Sequence, residues 1–165
     1  MGLRFSAENI RGWRSQYEAM FRWYERCEAR HGDGNIYNTE FLDALDHILA
    51  FFVFSYHICD FVVETGGVKK ERMNELVRMD ICMSKCRDIP NRIKHHTLHR
   101  KPSVDADWSV GREYVPPISG PAGEKLFFVI GGEKIDAMAV VRECVSFWQK
   151  FADSGELNEP LNPFA

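Results

Sequence analysis

Residues 40–64 read EFLDALDHILAFFVFSYHICDFVVE, and the spacing within this stretch decides the fold. Phe41, Leu45, Ile48, Leu49, Phe52, Tyr56, Cys59 and Val63 recur three or four apart, the period of an α-helix. Phe51, Phe54 and Phe61 add apolar surface on other sides, so this helix should be surrounded by neighbours. Asp46, His47, His57 and Asp60 fall inside the same run. Several ionisable groups in one span would be costly in lipid, so a buried central helix is expected and no membrane association. Asn38 or Thr39 supplies the cap at its start, and Thr65-Gly66-Gly67 stops it.

Three more helical patterns flank it. Ser6 is a suitable N-cap for a helix over about 7–29, with Ile10, Trp13, Tyr17, Met20, Phe21, Tyr24 and Cys27 on its apolar side. A helix over about 70–96 carries Leu76, Met79, Met83, Cys86 and Ile93 at the same spacing. Pro90 lies within it and should kink or break it near Arg87, because proline lacks the backbone donor. The last helix runs over about 135–152, with Met138, Val141, Val145 and Trp148 inward.

Between the third and last helices the composition changes. Residues 101–132 are rich in Pro, Gly and Ser, with short strand-like pieces at 108–110 and 114–115. KLFFVI at 125–130 reads as a strand, followed by a Gly131-Gly132 turn. The expected architecture is mainly α, a bundle of about four helices with a small antiparallel β insertion before the last. Residues 1–153 should form one domain and 154–165, with Pro160 and Pro163, a tail.

Composition narrows the class. The chain has 165 residues, 45% of them hydrophobic, enough for a core without disulfide or metal staples. Its net charge of −3 gives no global nucleic-acid signature. Basic residues nevertheless concentrate between Arg87 and Lys101, where Asp88 is the sole acid. The five Cys are odd in number, form no CxxC and mostly fall in apolar helical patterns. With a polar start lacking an apolar leader core, they point to a reducing cytoplasm and free thiols.

Two fragments carry the chemistry. On the central helix, His57 and Asp60 share a face at i and i+3. On the next, Asp88, Asn91, Lys94 and His95 form DxxNxxKH, with Arg92 and His99 beside them. Consecutive antiparallel helices pack side by side, which would bring the two fragments together. His95 then suits a general acid/base, His57 a second imidazole, and Asp60 or Asp88 its orienting carboxylate. Arg92, Lys94 and His99 would bind phosphate, and Asn91 would position it. The set suits metal-independent RNA cleavage. His57, Asp60, Asp88 and His95 also form a formal metal set, disfavoured by the positive charge of Lys94, and no cofactor is called for. The same residues equally fit a structural network that fixes helix register. Asp43 and His47 read as a boundary pair, and Cys82 and Cys86 as core.

FFVFSYHICDFV followed by CRDIPNRIKHHTL resembles a group of small prokaryotic and phage proteins with paired YHxxD and DxxNxxKH motifs. His57 and Asp60 match the first motif, and Asp88, Asn91, Lys94 and His95 the second. Phe61 stands where that group tends to have Trp, and Cys59 where it has Lys. More loosely the chain resembles HEPN domains, helical proteins that commonly dimerise and are often ribonucleases with an Arg-x(4–6)-His motif. Arg92 to His99 has the longest of those spacings. The resemblance implies a HEPN-like domain acting on RNA or nucleotides in a defence or toxin–antitoxin setting. The competing expectation is a non-catalytic dimerising or accessory subunit with a structural polar cluster.

Overall fold

The computed structural model describes residues 12–31, 41–94, 108–116 and 123–158, with the backbone alone at 92–94. The helices are α1 (Trp13–His31), α2 (Phe41–Thr65), α3 (Lys70–Met79), α4 (Ile81–Lys94) and α5 (Ala137–Ala152). Strands β1 (Ser109–Val115), β2 (Gly123–Ile130) and β3 (Glu133–Asp136) precede α5 and form one antiparallel sheet in the order β1-β2-β3. The fold is therefore mainly helical, as expected, and the described residues hold five helices where the sequence suggested about four.

The extra helix arises because the expected single helix over 70–96 is broken at Asp80, ten residues before Pro90. Asp80 has extended backbone (φ −95°, ψ 116°), and its N–H closes α3 by donating to the Leu76 carbonyl. Its carboxylate accepts the Met83 N–H at 2.9 Å, which caps α4. The Ser84 hydroxyl donates back to the Val77 carbonyl at 2.8 Å, fastening the two helices across the break. Pro90 stays inside α4, which runs on to Lys94. Proline costs one backbone bond there, and capping at Asp80 sets the actual end of the helix.

The central helix is as expected. Ala44, Ile48, Phe51, Phe52, Ser55, Ile58, Cys59 and Val62 are buried, so the inner side is turned toward Phe51 and Ile58 relative to the expected stripe. It packs on α1, α4 and α5. By length and composition α2 could also cross a membrane. Here Trp148 of α5 donates its indole N–H to the Ser55 hydroxyl at 3.1 Å inside the core. Fully burying residues such as Phe51, Phe52 and Ile48 contributes about 1.5–3 kcal/mol each.

Polar fasteners close the periphery. The Trp13 N–H donates to the Thr65 hydroxyl, tying the start of α1 to the end of α2. Arg142 holds Glu28 through two bonds of 2.8 and 3.0 Å, clasping α5 to α1. Of the expected tail, residues 154–158 are fastened to the body, and 159–165 lie outside the described residues. Arg72 grips Glu156, and the Asn158 N–H donates to the Gly66 carbonyl.

The sheet packs beneath α5, with Leu126, Phe128 and Ile130 of β2 facing the core. The two strand-like pieces at 108–110 and 114–115 are one strand, continuous through Gly111. The Phe127 ring lies across that glycine, where a Cβ would meet it at 2.3 Å. The Gly131-Gly132 turn has φ of 61° and 82°, the left-handed values of a two-residue hairpin. It returns the chain as β3, so α5 begins at Ala137 rather than Ile135.

Candidate functional site

Adjacent residues on a helix point about 100° apart. At Tyr56-His57 this places one side chain at the α2–α4 seam and the other in solvent. Tyr56 is half-buried, whereas His57 and Asp60 are exposed. Among the described residues neither His57 nor Asp60 makes a side-chain hydrogen bond or ion pair. Cys86 of α4 lies 3.9 Å from the Phe52 carbonyl of α2, so the two helices meet one turn before the motif.

On α4, Asp88 is 3% exposed, and its carboxylate accepts from both Nε and a terminal nitrogen of Arg87, each at 3.3 Å. Asn91 is half-buried. Arg92 and Lys94 lie in the last turn of α4, and their side chains are outside the described residues, as are His95 and His99 entirely.

Across the seam Tyr56 of α2 therefore faces Arg87 of α4, which Asp88 holds, while Asp60 lies one turn along α2 from Tyr56. Burial, and then the neighbouring Cys59, push the Tyr56 phenol up to about 12 against the opposing pull of Arg87; Asp60 adds to the rise. The phenol is a hydrogen-bond donor at neutral pH and not a base. Arg87 is a cation oriented by a buried carboxylate, a geometry that suits phosphate. Asp88 is occupied with Arg87, so of the two candidate orienting carboxylates Asp60 is the one open to a ligand.

Tyr56 and Arg87 were not assigned a place in the site from the sequence. Each directly precedes a motif residue, His57 and Asp88, and that adjacency was the available signal. The boundary pair is present: His47 Nδ1 lies 3.8 Å from the Asp43 carboxylate, which also meets Arg30. Cys82 and Cys86 are buried. Among the described residues no group of three or more His, Cys, Asp or Glu side chains is arranged to hold a metal.

A cavity of about 530 Å³ opens elsewhere, between the α3–α4 break and α5. Leu76, Ile81, Phe147 and Phe151 form its apolar walls, with Lys150 and Cys82 also lining it. Among the described residues, none of the motif borders it. No protein-family model, curated protein or solved structure matches the chain.

Proposed function

We propose that the α2–α4 seam binds a phosphate-bearing ligand, RNA or a nucleotide, and that the chain is a HEPN-like domain acting on it. The observation that carries this reading is the openness of the α2 side: His57 and Asp60 are exposed, with Asp60 one turn from the Tyr56 phenol that Arg87 faces. A sealed polar lock would bury them. The sequence continuing from α4 supports it, since residues 92–101 contain Arg92, Lys94, Arg100, Lys101 and three His with no acid. In this reading Arg87, Arg92 and Lys94 hold phosphate, with His99 beside them, and Asn91 positions the ligand. His95 is the general acid/base, with Asp60 and His57 on the facing helix.

The test is fluorescence anisotropy with labelled single-stranded RNA, together with cleavage assays on a broad RNA panel. Binding should weaken as salt rises, because phosphate contacts release counterions. His95→Ala should abolish cleavage with an unchanged melting temperature, and Arg87→Ala should weaken binding at least several-fold. Absence of both binding and cleavage by the native chain at low salt would remove the proposal.

The depth of Asp88 favours a second reading. A carboxylate 3% exposed and ion-paired at the helix seam also suits a non-catalytic subunit that presents this face to a second copy or another protein. In that case changes at His57 would alter assembly, read by sedimentation, and leave RNA binding absent.

A further inference from the structure

Cysteine chemistry outside the seam carries an independent inference. Five free cysteines are present and all are buried. Two of them, from α4 and α5, nearly touch: Cys82 Sγ lies 2.9 Å from Cys144 Sγ. That separation is about 0.9 Å longer than an S–S bond of roughly 2.05 Å, and closer than unbonded sulfurs normally pack. Cys144 is sealed at 0% exposure, whereas Cys82, at 5%, borders the solvent-open cavity. Cys82 thus stands between the cavity and Cys144, with its sulfur turned toward α5, where it also donates to the Val140 carbonyl at 3.5 Å. Burial, and then the neighbouring Cys82 and Cys86 thiols, hold the Cys144 thiol well above its ordinary range.

We propose that Cys82 and Cys144 form a reversible oxidation site for small hydroperoxides, closing into a disulfide that ties α4 to α5. The Cys82 sulfur attacks the terminal peroxide oxygen and the O–O bond breaks. This leaves a Cys82 sulfenic acid and releases an alcohol, or water from hydrogen peroxide. The Cys144 sulfur then attacks the Cys82 sulfur, the S–O bond breaks, and water leaves as the S–S bond forms. Two thiols and one hydroperoxide give one disulfide, one alcohol and one water. The two electrons come from the sulfurs, and both thiol hydrogens end in the released alcohol and water. A thiol reductant reverses the step by exchange. The bond would fix the α4 start against α5 beneath the cavity and close a long loop of chain.

Cys86 is the competing partner, since it also lies within reach of Cys144. Trypsin cleavage at Lys85 separates Cys82 from Cys86, so mass spectrometry distinguishes the two links. The full-length chain, freed of reductant, is treated with hydrogen peroxide, denatured and tagged with a maleimide. Two of the five thiols should be lost, with a peptide joining Cys82 to Cys144. Dithiothreitol should restore all five tags. The link should survive in Cys86→Ser. Cys144→Ser should stop at a Cys82 sulfenic acid trappable by dimedone. Persistence of all five tags, a link through Cys86, or only intermolecular dimers would overturn the proposal.

Discussion

Asp88 and Asp60 belong to matching motifs but live in different dielectrics. Asp88 is buried against Arg87, so Asp88→Ala leaves the guanidinium without its carboxylate and should cost about 1–3 kcal/mol. Asp60 is exposed, and Asp60→Ala should fall within about 0.5 kcal/mol of the native chain. Urea unfolding of both variants checks the contrast; equal losses would mean that the seam is sealed in solution. The motif spacing identified both residues and could not tell their burial apart. A period of i and i+3 assigns a common face, and whether that face meets a neighbour depends on how the helix is rotated. On α2 the inner side follows Phe51 and Ile58, which leaves His57 and Asp60 outside.

At the scale of elements, the break at Asp80 was the main departure from expectation. Asp80 occupies a position in the apolar repeat of its segment, and Pro90 is the stronger local signal. Once Asp80 accepts the Met83 N–H, however, it is a standard cap. Asp80→Ala should therefore destabilise the chain by about 1 kcal/mol in urea melts. No loss at all would show that the Ser84–Val77 fastener holds the break without the cap. Strand β3 escaped for a different reason. Glu133–Asp136 is short and polar, yet its existence follows from the left-handed Gly131-Gly132 turn that the sequence made visible. Lys134 then covers the Phe127 ring and pairs with Glu113, so this polar strand stabilises the outer face of the sheet.

For the molecule as a whole, His31 links stability to pH. It is fully buried at the end of α1, with Nε2 3.3 Å from the Ala44 carbonyl, and its Nδ1 has no partner among the described residues. Burial pushes its pKa down, against the Ala44 carbonyl, Asp136 and Glu28, which favour the charged form; His47 adds to the lowering. The unfolded chain, with a histidine pKa of about 6.5, takes up the proton first as pH falls. The contribution is therefore full above about 6.5 and is lost as pH falls toward the lower folded value. Melting temperature should drop on acidification from pH 7 to 5, and His31→Gln should flatten part of that drop. Parallel curves for the two proteins would contradict it.

The pairing of Ser55 with Trp148 also has a consequence in time. The ribosome completes α2 roughly 90 residues before it completes α5, which is about 5–20 s of synthesis at ordinary rates. During that interval this apolar helix lacks the Trp148 indole that later donates to Ser55. A ribosome-bound intermediate ending near residue 130 should bind holding chaperones strongly, and one extended past Ala152 and free of the exit tunnel should release them.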